Sequence, residues 1–229
     1  MPFVAAERTH VLLISCLGEQ TGGGLFAFDG DTLEQLETLS TTGLALAGGR
    51  LGRLLWSSGE TGSVGELLIY DEAGVERYVR IDSLREPHDL AWAGQEFLAV
   101  STLTNSVLWL SASGEVTRTW RAEGDGDAWH LSSLFPVDDT VVAAAFGRFS
   151  RHRDWSDGRA AGAGIVFDLL TGADVMNGLS CPHDPRLIDG VLARLQLGRA
   201  RARDRRCLVR SRHTTGRAGW VDARARGQR

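Results

Sequence analysis

Pro87-His88-Asp89-Leu90-Ala91-Trp92, then residues 95–101, residues 105–110, the pair Ser113-Gly114 and residues 115–120 form the stretch on which the reading of this chain turns. Each run is short, rich in Val, Leu, Ala and aromatic residues, and bounded by Gly, Ser, Asn or Asp. That is the pattern of strands joined by tight turns. Working outward, the pattern returns. Trp129-His130-Leu131 is followed by residues 138–146, residues 164–168, the turn Thr171-Gly172 and residues 173–176. Cys181-Pro182-His183-Asp184-Pro185 opens a third unit, and upstream Thr42-Gly43-Leu44-Ala45 opens one that closes at residues 77–81. Asp29-Gly30, Gly48-Gly49 and Ala73-Gly74 are further hairpin signals.

The spacing sets the architecture. His88 lies 42 residues before His130, and His130 lies 53 before His183, the excess matching a polar insertion at 148–162. A period of about 40–50 residues with four strands per unit is that of a β-propeller blade. One blade cannot cover both of its apolar faces, so neighbours stack around an axis. Residues 9–40 supply an opening partial blade, and fuller units follow. The expectation is an all-β fold: a partial β-propeller of three to four four-stranded blades over residues 9–190.

The 229 residues are 43% hydrophobic and 24% charged, with 28 Gly and 5 Pro, which excludes collagen, coiled coil and wholesale disorder. No apolar run is long enough to span a membrane as a helix. The 25 basic residues are all Arg, as a GC-rich genome produces. From Val191 to Arg229 there are 12 Arg against Asp204 and Asp222, so the net −4 divides into −14 before that point and +10 after it. Cys16, Cys181 and Cys207 are too scattered for a disulfide framework or zinc cluster. Leu13-Ile14-Ser15-Cys16 imitates a lipoprotein box, but Glu7, Arg8 and His10 interrupt the apolar stretch a signal peptide needs. A first strand in the cytoplasm is the expectation.

The elements Glu86-Pro87-His88-Asp89-Leu90-Ala91-Trp92, Asp127-Ala128-Trp129-His130-Leu131 and Ser180-Cys181-Pro182-His183-Asp184-Pro185-Arg186 stand in the order seen in an uncharacterised bacterial family of β-propeller-like conserved hypothetical proteins. The chain resembles that family over residues 9–190. It departs from it at Ser132-Ser133, where the family tends to Asn-Gly, and at Asp184, where it tends to Ser. The resemblance implies a propeller fold and a longer, here truncated, relative. It implies no activity. After Gly190 it implies a further strand that residues 191–198 do not spell. One set of codons for those residues, read a base later, does spell such a strand. A frameshift therefore competes with a disordered basic tail for residues 191–229. A nucleic-acid arm is a third reading, because clustered Arg neutralises phosphates, but no aromatic residues interleave with residues 199–212.

Candidate chemistry centres on His88, His130 and His183, each at a blade opening and hence near one mouth of the central channel. With Asp89 and Asp184 they form an axial binding candidate. Three neutral imidazoles also suit a divalent metal with an open position, the two Asp orienting the rings. The alternative is that these residues lock the loops entering each blade. Arg148, Arg151 and Trp155 in the 148–162 insertion are a second candidate, suited to an anionic or sugar-like ligand. No phosphate loop, nucleophile elbow or His-Glu-x-x-His motif occurs. Two functions stand at this point: a module binding a small molecule or protein, or a metal-assisted propeller lyase or hydrolase.

Overall fold

The computed structural model describes residues 11–18, 23–59, 62–188, 191–196, 208–211 and 219–222. Strands make up its regular structure, and no helix long and apolar enough to cross a membrane occurs among the described residues. A three-stranded sheet comes first: β1 (Leu12–Cys16), β2 (Gly24–Phe28) and β3 (Leu33–Glu37). Three four-stranded meanders follow: β4 (Thr41–Ala47), β5 (Arg50–Gly59), β6 (Gly62–Asp71) and β7 (Gly74–Arg85); β8 (Pro87–Trp92), β9 (Phe97–Ser101), β10 (Ser106–Leu110) and β11 (Val116–Arg121); β12 (Leu131–Val137), β13 (Thr140–Ala145), β14 (Ala161–Asp168) and β15 (Asp174–Ser180). Then come two pairs, β16 (Pro182–Ile188) with β17 (Val191–Gln196), and β18 (Leu208–Ser211) with β19 (Gly219–Asp222). All ladders are antiparallel. The chain is an incomplete β-propeller.

The turns fall where the Gly pairs place them. Asp29 Oδ1 accepts the Asp31 and Thr32 N–H groups between β2 and β3, and Asp71 Oδ1 does the same for Ala73 and Gly74 between β6 and β7. Residues 111–115 and 169–173 close the β10–β11 and β14–β15 hairpins.

Period-two alternation explains why the sheets stack. Along β9, Phe97 and Ala99 enter one core with Leu54, Leu67 and Ile69 of the preceding blade, while Leu98 and Val100 enter another with Leu131, Val141 and Phe167 of the next. In β13, Val141, Ala143 and Ala145 face backward, and Val142 and Ala144 face forward onto Met176 and Leu192. β9, β10, β13 and β14 are thus apolar on both faces, as strands buried on two sides must be. β17 starts at Val191, beyond the boundary the charge break marks at Gly190, and Leu192 is buried against the β12–β15 blade.

Inner strands β4, β8, β12 and β16 lie side by side. Their approach is close enough that position 43 excludes a side chain. A Cβ on Gly43 would stand 2.4 Å from the Leu90 nitrogen and 2.8 Å from its Cβ. Backbone cannot yield cheaply, so Gly43→Ala should destabilise the chain by about 1–3 kcal/mol, the usual cost of overpacking. An unchanged thermal midpoint in that variant would show that the β4–β8 seam opens without cost.

Candidate functional site

The inner strands start with a common device. Pro87, Leu131 and Pro182 open β8, β12 and β16, paired with Ser101, Ala145 and Gln196, and a register irregularity follows each within the next four residues. The residue just before each opener, Glu86, His130 or Cys181, has φ between 45° and 50°, an uncommon left-handed conformation for non-glycine residues. The three blades therefore share one phase, and it differs from the His-to-His spacing. His88 and His183 are the second residues of their strands, whereas Ser132 holds that position in β12 and His130 stands two residues earlier.

The rings nevertheless meet. His88 lies 5.4 Å from His130, nearly edge to face, and 5.5 Å from His183, centroid to centroid. Phe146 and Trp155 each approach the His130 ring at 4.2 Å, and Phe146 also touches His183 at 5.4 Å. Ser132 turns into the seam instead, its hydroxyl donating to the Pro182 carbonyl at 2.8 Å.

Asp127 organises this cluster. Its side chain is fully buried, and its carboxylate oxygens stand 3.1 and 3.2 Å from His130 Nδ1. Its carbonyl accepts the Trp155 indole N–H at 3.0 Å and the Arg153 backbone N–H at 2.9 Å. Its own N–H donates to His152 Nδ1 at 3.1 Å. Arg153 lies between two carboxylates, donating to Glu86 at 2.9 and 3.1 Å and ion-pairing with Asp127 at 3.5 Å. The insertion is thereby clamped over His130.

Electrostatics separate the members. Burial, reinforced by His130 and His183, lowers the His88 pKa from 6.5 to about 4. Burial and His130 also lower that of His183, with Asp184 opposing. Both rings are neutral at pH 7. Burial pushes Asp89 up from 3.8 to about 7, against the hydrogen bond it accepts from the Leu134 N–H at 2.8 Å. Asp89 therefore spans the β8–β12 seam. Ser133 spans the next seam in the same way, accepting the Asp184 N–H at 2.8 Å.

Of the residues singled out in the sequence, His88, His130, His183 and Trp155 come together. Asp89 sits behind them in the seam, and Asp184 is exposed and paired with Arg186 at 3.2 Å. Arg148 reaches away, to Asp174 at 2.6 Å and the Gly172 carbonyl at 3.1 Å. Arg151 is exposed. Among the described residues no group of three or more His, Cys, Asp or Glu is placed to hold a metal ion, and Nδ1 of His130 is already engaged by Asp127. Sequence reasoning did not give Asp127, Phe146 or Glu86 a role. An acid three residues before a blade-opening His was the available signal for Asp127.

Among solved structures, the chain is similar to BamB from Moraxella catarrhalis, with TM-score 0.44 and 12% identity over 82% of this chain and 57% of BamB. It therefore spans little more than half of that protein. The glutaminyl cyclase of Myxococcus xanthus gives a TM-score of 0.42 and 15% identity over 72% of this chain and 74% of the cyclase. The Pan2 WD40 domain of Neurospora crassa gives 0.40 and 14% over 69% of this chain and 49% of that one. No curated protein matches in sequence. The family model described as Domain of unknown function (DUF4915) matches residues 67–207, a span that holds His88, His130 and His183 and runs past Gly190. Because that match takes in more than half of the chain, the protein belongs to the DUF4915 family.

Proposed function

We propose that this chain is a binding module whose rim at His88, His130, His183 and Trp155 takes an uncharged, hydroxylated small molecule. The carrying observation is the convergence of three imidazoles from three successive blades, with ring centroids 5.4 and 5.5 Å apart around His88. The His88 and His183 imidazoles, held neutral by burial, each carry one donor and one acceptor, the pairing that hydroxyl groups require. Trp155 adds an apolar face beside them.

Charge argues for an uncharged ligand. Among the described residues, Arg153 is the guanidinium at the cluster, already shared by Glu86 and Asp127, and Arg148 and Arg186 have carboxylate partners elsewhere. A phosphate or carboxylate ligand would find no uncommitted cation among these three. Polar groups fixed on a rigid scaffold and flanked by an aromatic wall are the usual makings of a small-molecule site.

Calorimetric titration with neutral mono- and disaccharides, alongside inorganic phosphate and citrate, tests the reading. Binding of a neutral polyol, weakened at least tenfold by His88→Ala and by His183→Ala, is the expected result. Preferential binding of the anions, or saccharide binding indifferent to both substitutions, would overturn it.

A further inference from the structure

We infer that Asp127 and His130 form a proton-transfer pair, and that the rim hydrolyses a carboxylic ester of the hydroxylated molecule it binds. This inference rests on the ligand reading for its substrate, but its chemistry stands on separate geometry. The Asp127 carboxylate meets Nδ1 of His130 with both oxygens, at 3.1 and 3.2 Å, from a fully buried position. An ionised carboxylate only accepts, so Nδ1 carries the proton and Nε2 keeps its lone pair. Among the described residues the ring has no other hydrogen bond. The ring is also fixed in orientation, because Phe146 and Trp155 each pack at 4.2 Å. A base oriented by a buried carboxylate is the arrangement that general-base chemistry uses.

The neighbours suit the reaction. The groups around His130 are Asp127 on its own segment, His88 from β8, His183 from β16, and Arg153 with Glu86 at the clamp. His88 and His183 are held neutral by burial, so either can donate a hydrogen bond to a carbonyl oxygen as negative charge grows there. In the step itself, Nε2 of His130 takes a proton from a solvent water. The freed oxygen pair forms a bond to the ester carbonyl carbon, and the bond from that carbon to the alcohol oxygen breaks. The proton then passes from Nε2 to the departing alkoxide. Water and ester become acid and alcohol, with no other reactant.

Asp127 is a positioning residue in this scheme, and His130 the catalytic one. Nitrogen NMR of the ¹⁵N-histidine-labelled chain, with no ligand present, should show His130 as the Nδ1–H tautomer. An Nε2–H tautomer would overturn the inference. With p-nitrophenyl acetate as probe, the chain should show hydrolysis above the buffer rate. It should disappear in His130→Gln and fall about 10²–10⁴-fold in Asp127→Asn, mainly in kcat. In Asp127→Asn the tautomer preference should also be lost. Hydrolysis that persists in His130→Gln would defeat the inference. Saccharide binding with no hydrolysis would remove it as well while leaving the binding reading standing, so the two fail separately.

Discussion

Replacing Arg53 with Ala is expected to cost about 3–5 kcal/mol of stability, from a buried cavity and the acceptors left unpaired around it. For a chain of this size that corresponds to a fall in thermal midpoint on the order of 10 °C. Arg53 is wholly buried on β5. It faces the first sheet, whereas its neighbour Leu54 faces the core shared with β8–β11. Its guanidinium donates to the Thr41 hydroxyl at 2.9 Å, the Leu39 carbonyl at 2.9 Å and the Tyr70 hydroxyl at 3.3 Å. The nearest carboxylate, Glu37, is 4.0 Å away and half exposed. Neutral acceptors therefore hold this charge, and Glu37→Gln should cost less than about 1 kcal/mol. Arg53→Lys should recover little, because one ammonium cannot reproduce the planar fork. Chemical denaturation of the three variants checks the ranking. A Glu37→Gln loss as large as that of Arg53→Ala would mean that the ion pair, not the hydrogen bonds, secures the first seam.

The second large effect concerns acidity. His88 has its pKa depressed to about 4, through burial first and then His130 and His183, with Asp127 opposing. Its favourable neutral burial is present above 6.5 and is lost as pH falls through about 4. Asp89 is the reverse case, raised to about 7 by burial, with Asp184 adding to the rise and Arg186 opposing it. Its contribution is present below 3.8 and is lost as pH rises through about 7. Between pH 4 and 7 the two slopes oppose one another, with His183 adding to that of His88. Asp89→Asn should unmask a stability that climbs with pH over that window. His88→Gln should shift the slope the other way. Thermal midpoints at half-unit steps from pH 4 to 7.5 would show it, and identical slopes in the two variants would refute the assignment.

Much of the fold was legible because the strands carry their own signals. Alternation in residues 97–101 and 140–145, with Gly pairs at the hairpins, marks blades without reference to anything distant. β3 was not legible. Leu33-Glu34-Gln35-Leu36-Glu37 has its apolar residues three apart and every position exposed, so only pairing with β2 makes it a strand. The burial of Arg53 was equally hidden, since nothing local distinguishes it from Arg50 on the surface. At the site, the His spacing identified the right rings on an inexact phase, because the repeat counts the strand openers rather than the imidazoles. The separation of Arg148 from Trp155 within one insertion was not readable either. It depends on which way the loop doubles back, and the Asp127 carbonyl, 28 residues before Trp155, fixes that.

The offset of His130 from the blade phase bears on how such a ring can be redesigned. Averaging the blades into a consensus is a common way to make a repeat protein sturdier. Here it would assign one residue type to positions 88, 132 and 183 and another to 86, 130 and 181. Histidine would win the first set, and the imidazole that Asp127 holds would vanish from the second. The product would carry three like rings at like heights, symmetrical and chemically undifferentiated. The natural sequence keeps one blade out of step, and so gives its three imidazoles separate occupations.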